Sequence, residues 1–125
     1  MRKILVIHPD LVLGDELTFV LQHSGFQVTH AIEGRQALAE VDRTHPDLIV
    51  MAEGIHRLNG DELCVRIRGI CRVPIIVLGQ DHEEAAGINL LEMGADAYLT
   101  SPLNLRELLA RIRSLLRRTK ASQGI

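Results

Sequence analysis

Short apolar runs alternate with helically spaced apolar residues along the whole chain, and this alternation limits the possible folds more than any other feature. The runs have the length of strands, and each is followed by a stretch with the period of a helix. Predicted strands cover residues 3–8, 26–31, 48–52, 75–79 and 97–100, and predicted helices cover 11–24, 35–43, 59–68, 82–93 and 104–118. Repeated βα units imply an α/β fold, a doubly wound five-stranded parallel sheet with helices on both faces.

The chain has the length and composition of one ordinary domain. Its 125 residues are 46% hydrophobic and 24% charged, with a formal net charge of -2. This slightly acidic balance gives no reason to expect a nucleic-acid or membrane partner. No apolar run approaches the ~18 residues of a membrane span. The apolar run at residues 4–7 is too short for a signal peptide, so we expect a cytoplasmic protein. We expect one domain over residues 1–119, with 120–125 a tail or the start of a linker.

Functional residues are expected where the predicted strands end, because ligands of open parallel sheets bind outside the carboxyl ends of the strands. These ends read His8-Pro9-Asp10, Ala52-Glu53, Gly79-Gln80 and Thr100-Ser101-Pro102. The polar residues among them do not form a recognised catalytic or metal-binding motif.

Several stretches resemble bacterial response-regulator receiver domains of the winged-helix (OmpR-like) class. They are "KILVIHPD", "HPDLIVMAEG", "NGDELCVRIR", "VPIIVLG" and "GADAYLTSP" followed by "RELLARIRSLLRR". The similarity covers residues 2–118, and its last part is the most specific. It implies the flavodoxin-like (βα)5 receiver fold and a role in two-component signal transduction. It also implies a cis peptide bond before Pro102.

The resemblance also shows what this chain lacks. Receivers accept a phosphoryl group on an aspartate, with an acidic pair for Mg²⁺, a lysine and a hydroxyl that hold the phosphoryl oxygens. The acidic pair aligns with His8 and Pro9, and the phosphoacceptor aligns with Ala52. The hydroxyl aligns with Gly79 and the lysine with Ser101. All five positions depart from the pattern, so we predict a degenerate receiver that is not an enzyme and has no cofactor.

Neighbouring residues could substitute for the missing groups. Glu53 follows Ala52, but successive strand side chains point to opposite faces, so a solvated loop acid is favoured over a phosphoryl acceptor or phosphate mimic. Asp10 could approach the site or cap the following helix. These two acids could join His8 and His56 around a transition metal, but their spacing matches no strong motif, and no metal site is predicted. Tyr98 aligns with the switch aromatic, or is simply packed at a sheet edge.

A dimer surface is implied by the same resemblance. Receivers of this class dimerise through the fourth helix, fifth strand and last helix, using an apolar patch and charge pairs. The patch aligns with Ile88, Leu91 and Leu109. One charge pair keeps both members, Asp96 and Arg111. We therefore predict a homodimer, or a protein partner on the same face.

The other charge pairs of that surface are incomplete. Glu107 has lost its basic partner to Gly87, and Arg118 has lost its acidic partner to Ala97. Exposed pairs are worth ~0–1 kcal/mol each, so these losses weaken a dimer without preventing it. Alternatively, the arginines of the last helix form only its solvated side. Direct nucleic-acid contact is not predicted, because Glu107 interrupts them and the chain is acidic.

Two functional hypotheses follow. The first is a phosphorylation-independent signalling, dimerisation or partner-binding module, serving as the N-terminal input domain of a transcription regulator. The alternative is a sensor for a small ligand or metal, which would bind in the emptied phosphorylation pocket near His8, Ala52, Gly79 and Ser101. An active phosphoryl-accepting enzyme is the least favoured hypothesis.

Overall fold

The computed structural model describes residues 1–54, 60–79, 88, 91–92 and 94–123, with only the backbone described at 60–61 and 119–123. The strands are β1 (Lys3–Ile7), β2 (Gln27–Ala31), β3 (Leu48–Ala52), β4 (Ile75–Gly79) and β5 (Ala97–Thr100). They form one sheet in the order β2-β1-β3-β4-β5, and every neighbouring pair is parallel. The predicted fold class is confirmed.

The helices follow the predicted pattern with small changes at their ends. They are α1 (Leu11–His23), α2 (Gly34–Thr44), α3 (Gly60–Arg68) and the C-terminal helix (Leu105–Gln123). The helix predicted over 82–93 falls mostly outside the described residues, although residues 88, 91 and 92 are helical. The C-terminal helix continues to Gln123, so the stretch predicted as a tail, 120–125, is helical as far as that residue. No described helix is long and apolar enough to cross a membrane.

The sheet separates two apolar layers. Ile4 and Val6 of β1 face one layer, beneath α1 and the C-terminal helix. Leu5 and Ile7 face the other, beneath α2 and α3. Both faces of the inner strands are therefore buried, which explains why their sequences are continuously apolar instead of alternating.

Two leucines that helical spacing predicts to be core residues are not buried. Leu13 of α1 is 45% exposed, and Leu105 at the start of the C-terminal helix is 41% exposed. Their neighbours in the same apolar stripes, Leu17 and Leu108, are buried as predicted. The core on this side of the sheet therefore stops short of both helix N-termini.

Aspartates hold the first backbone N–H groups of strands at the amino edge of the sheet. Asp47 Oδ2 accepts from the Lys3 N–H at 2.7 Å, and the Asp47 N–H donates to the Lys3 carbonyl at 2.7 Å. Asp96 Oδ2 accepts from the Ile75 N–H at 2.8 Å. These contacts satisfy strand-end donors that have no partner in the sheet.

Arg68, the last residue of α3, binds the same edge. Its guanidinium donates to Asp96 Oδ2 at 2.7 Å and to the Gly94 carbonyl at 2.9 Å. Gly94 has a φ of +115°, and a Cβ built on it would lie 2.8 Å from Arg68 Cγ. Glycine is therefore required there both for the turn and for the close approach of Arg68.

Candidate functional site

The five positions that depart from the receiver pattern are brought together at the carboxyl edge of the sheet. His8, Pro9, Ala52, Gly79 and Ser101 all line one cavity of about 700 Å³. The Ser101-Pro102 peptide bond at this edge is cis, as predicted. The parallel arrangement thus assembles the predicted site from four separate strand ends.

Glu53 differs from its prediction. Its side chain is half-buried, and its Oε2 accepts a hydrogen bond from the Tyr98 hydroxyl at 2.9 Å. Its backbone N–H donates to the Leu78 carbonyl at 2.9 Å, which continues the pairing of β3 with β4. The prediction of a solvated loop acid is therefore wrong, because Tyr98 reaches across from β5 and holds the carboxylate.

The space beside Gly79 is filled by the Tyr98 ring. A Cβ built on Gly79 would lie 2.0 Å from the Tyr98 hydroxyl oxygen and 2.3 Å from Cζ. Tyr98 is partly buried against the core layer beneath α2 and α3. A side chain at residue 79 would overlap the Tyr98 ring where it now lies. Gly79 therefore allows Tyr98 to reach Glu53.

His8 is held as a neutral imidazole. Its Nδ1 accepts from the Asp10 N–H at 3.1 Å, which places the proton of the neutral ring on Nε2. Burial lowers the pKa of His8 below its ordinary value, the Asp10 carboxylate opposes that shift, and His30 adds to it. His8 therefore offers the cavity one N–H donor in place of a negative charge.

Sequence reasoning missed His30, on β2. Its Nε2 donates to the His8 carbonyl at 3.0 Å, and its Nδ1 lies 3.7 Å from Asp15 Oδ1. The ring lies over Gly14, where an added Cβ would be 2.1 Å from His30 Cε1. A glycine inside a helix costs ~1 kcal/mol relative to alanine, so Gly14 in a predicted helix was the signal of a close approach.

The described residues at this edge do not fit a magnesium site. Mg²⁺ prefers oxygen ligands in octahedral geometry, whereas His8, Pro9 and Ala52 provide no side-chain oxygen. Asp10 Oδ1 caps α1 by accepting from the N–H groups of Val12 at 2.9 Å and Leu13 at 3.1 Å. Within the described part of the chain, no group of three His, Cys, Asp or Glu residues could hold a metal ion. His56, from the transition-metal hypothesis, lies outside those residues.

The predicted apolar interface patch is only partly exposed. Ile88 and Leu91 are exposed by 54% and 46%. Leu109 is half-buried, because it packs against the core layer beneath α1 and the C-terminal helix.

The charged interface residues differ in their surroundings. Glu107, Arg111 and Arg118 are exposed on the C-terminal helix. Asp96, the predicted partner of Arg111 across a dimer, is already bound to Arg68 within the same chain. An Asp96–Arg111 pair between protomers would therefore share or replace the Arg68 contact. Ala97 is buried, and Gly87 lies outside the described residues.

A doubly wound parallel sheet in the strand order β2-β1-β3-β4-β5 is the flavodoxin-like fold. The sequence matches the family described as "Response regulator receiver domain" over residues 4–113, and this chain belongs to that family. It is a receiver domain of the two-component type, a signalling module.

Known proteins of this kind are similar along nearly the whole chain. The sensory transduction protein RegX3 of Mycobacterium tuberculosis is 36% identical over 94% of this chain and 52% of its own length. The alkaline phosphatase synthesis transcriptional regulatory protein PhoP of Bacillus subtilis is 36% identical over 95% of this chain and 50% of its own length. The chain thus spans about half the length of these curated relatives.

Solved structures show the same fold. A two-component response regulator from Clostridium difficile superposes with a TM-score of 0.92 at 30% identity, covering 95% of this chain and 98% of its own. The BeF3-activated N-terminal receiver domain of Klebsiella pneumoniae RstA gives a TM-score of 0.89 at 29% identity, covering 93% and 99%.

Proposed function

We propose that this chain is a degenerate receiver of the winged-helix class that works as a phosphorylation-independent signalling, dimerisation or partner-binding module. The observation that carries the proposal is the replacement of the reactive side chains at the strand ends. Ala52 stands where the resemblance requires the phosphoacceptor, and the Tyr98 ring occupies the space of a side chain at Gly79. Beside these two positions, the Tyr98 hydroxyl donates a hydrogen bond to Glu53.

Each part of phosphoryl transfer lacks its group. Ala52 has no nucleophile, and Ser101 supplies no positive charge. His8 is neutral, because burial lowers its pKa. One missing electrostatic contact of this type costs ~3 kcal/mol in the transition state. Loss of the nucleophile stops the reaction regardless of the other contacts.

Incubation with acetyl phosphate and Mg²⁺, followed by intact-mass measurement, tests this proposal. We expect no acid-labile adduct, while a receiver that keeps its aspartate is labelled in parallel. Ala52→Asp should also label poorly, because His8, Pro9 and Ser101 remain. A stoichiometric adduct on the wild type that disappears in Glu53→Gln would show that Glu53 has become the acceptor.

The likeness to RegX3 and PhoP supports a place in transcription control. PhoP is named a transcriptional regulatory protein, and this chain matches about half of it. We propose that the chain acts as the N-terminal input domain of such a regulator, with no direct nucleic-acid contact of its own. Fluorescence anisotropy of the chain with duplex DNA should show no binding at physiological salt, and a strongly salt-dependent affinity would contradict this assignment.

The dimer surface supports self-association without phosphorylation. The exposed Ile88 and Leu91 supply apolar area, worth ~25 cal/mol per Å² when buried. Arg111 of a second copy would share Asp96 with Arg68 or displace it. The affinity should therefore be modest, about micromolar.

Sedimentation of the wild type, Leu91→Arg and Arg111→Glu tests this surface. Both variants should dissociate the dimer, whereas Arg35→Glu, at an exposed position of α2, should leave it intact. A dimer that survives both interface changes uses another surface. A strict monomer at high concentration would leave the face only to a different protein partner.

The cavity favours a second candidate, a sensor for a small ligand. Its volume of about 700 Å³ lies within the ~300–1,000 Å³ range of small-molecule sites. It contains all five emptied positions but extends beyond them along α1 and the start of the C-terminal helix. This candidate is compatible with the first, since ligand binding would supply the input that phosphorylation does not.

A further inference from the structure

We infer that the cavity binds an amphipathic organic cation, with an apolar body along α1 and an amine at the Glu53 end. This inference rests on the second candidate function and names its ligand chemistry.

The cavity has an apolar wall from three elements. The leucines that line it are Leu13 and Leu17 of α1, Leu99 of β5, Leu105 at the start of the C-terminal helix, and Leu103 just before that helix. Leu13 and Leu105 lie in the apolar stripes of their helices, yet each remains more than 40% exposed. These two leucines present apolar surface that the core of this chain does not cover, and a ligand body would bury it.

The charge of the lining selects the ligand. Asp15, Glu16 and Glu53 line the cavity, and the lining residues that the structure describes include no lysine or arginine. His8 is the remaining titratable side chain, and its lowered pKa keeps it neutral. Among these described residues a phosphate or carboxylate ligand would meet negative charge without a cation, whereas an ammonium group would meet its counter-charge.

Glu53 is the least exposed of the three acidic residues that line the cavity, so we assign the ammonium group to it. It is half-buried, while Asp15 and Glu16 are exposed. Its hydrogen-bond partner is the neutral Tyr98 hydroxyl, and no described lysine or arginine lies within ion-pair distance of it. A partly desolvated carboxylate without a cation is unfavourable, and a bound ammonium group would relieve this cost.

Three fluorescent probes of matched shape test the inference on the whole chain. Dansylcadaverine carries an ammonium group, N-hexyldansylamide is neutral, and dansyl-6-aminohexanoate carries a carboxylate. Dansyl emission rises in an apolar site, so titration gives a dissociation constant for each. We expect the ammonium probe to bind about tenfold more tightly than the neutral one, and the carboxylate probe to bind most weakly.

Matched variants locate the bound charge. Glu53→Gln keeps an acceptor for Tyr98 and should remove most of the ammonium preference, while Asp42→Asn on exposed α2 should preserve it. Leu13→Lys adds an ammonium to the cavity wall at an exposed position and should abolish binding of dansylcadaverine. Thermal melting checks that each variant is folded.

The outcomes distinguish the cation inference from the ligand-sensor candidate on which it rests. Equal affinity for all three probes overturns the cation inference but leaves the ligand-sensor candidate standing. Absence of binding by every probe overturns both. An ammonium preference that is unchanged in Glu53→Gln and in Leu13→Lys also overturns the inference, because the ammonium group would then bind elsewhere.

Discussion

The amino and carboxyl edges of the sheet use polar residues in opposite ways. At the amino edge, Asp47 and Asp96 hold strand N–H groups, and Arg68 ties α3 to the start of β5. At the carboxyl edge, the positions that serve phosphorylation in the resembling family hold Ala52 and Gly79 instead. One edge contains the contacts that maintain the fold, and the other is the edge at which we propose that the chemistry has been lost.

This difference teaches that a fold and its reaction can be separated residue by residue. The contacts of Arg68 and Asp96 involve backbone groups of the strands, so their loss would affect every function of the chain. The replacements at the carboxyl edge would, on the proposed function, affect phosphoryl transfer and leave these contacts in place. On the proposed function, the receiver fold remains intact while its original input is lost.

The largest effect should follow from changing the amino edge. Arg68→Met should cost about 2–3 kcal/mol of unfolding free energy, because it removes charge-assisted hydrogen bonds and leaves backbone carbonyls unpaired. Arg66→Met, an exposed arginine of the same helix, should stay within about 0.5 kcal/mol of wild type. Urea denaturation measures both, and equal costs would remove the claimed contrast between the two edges.

A smaller effect should follow from restoring a side chain at the carboxyl edge. Gly79→Thr should cost about 1–3 kcal/mol, because its Cβ cannot coexist with the present Tyr98 ring. Gly54→Ser is the control, since a Cβ there meets no atom of the described residues within 4 Å. In a double-mutant cycle with Tyr98→Ala, the two changes should couple strongly. Additive costs would show that Tyr98 does not require Gly79.

Protonation of His8 should have a weaker effect. Burial lowers the pKa of His8 in the folded state, so the unfolded chain binds its proton more readily. Stability from this residue is fully present above the unfolded pKa of about 6.5 and is lost as pH falls below it. Between pH 7.5 and pH 5.5, the denaturation midpoint should therefore fall further for the wild type than for His8→Gln. Parallel losses would exclude His8 as the cause.

Magnesium should have no measurable effect on stability. A ligand at a hundredfold above its dissociation constant would add ~2.7 kcal/mol, but His8 and Pro9 cannot form an oxygen site. Melting temperatures with and without millimolar MgCl2 should coincide. A rise that vanishes in Asp10→Asn would identify an unexpected Mg²⁺ ligand, and the same assay with Zn²⁺ tests the transition-metal alternative.

The sequence predicted the fold well where burial determines the residue pattern. The bounds of β3, β4 and β5 agree with their predictions, because strands buried on both faces are continuously apolar and end abruptly. The convergence of His8, Ala52, Gly79 and Ser101 was also predictable, since parallel strands place their carboxyl ends together.

The side-chain contacts within the site were not predictable. The Tyr98–Glu53 hydrogen bond joins residues 45 positions apart and depends on the ring entering space beside Gly79. The His30 ring over Gly14 depends likewise on the packing of β2 against α1. Spacing along the chain gives the face of a helix or strand, but not which long side chain fills a gap left by a glycine.

Tyr98 is the single tyrosine of a chain without tryptophan, so its near-ultraviolet emission comes essentially from one phenol. That phenol donates its hydrogen to Glu53 at the edge of the cavity. A carboxylate acceptor quenches tyrosine emission, so any event that draws Glu53 away should brighten the signal. The natural chain thus carries a label-free optical reporter of its own site, and substitution elsewhere with phenylalanine is not needed to isolate it.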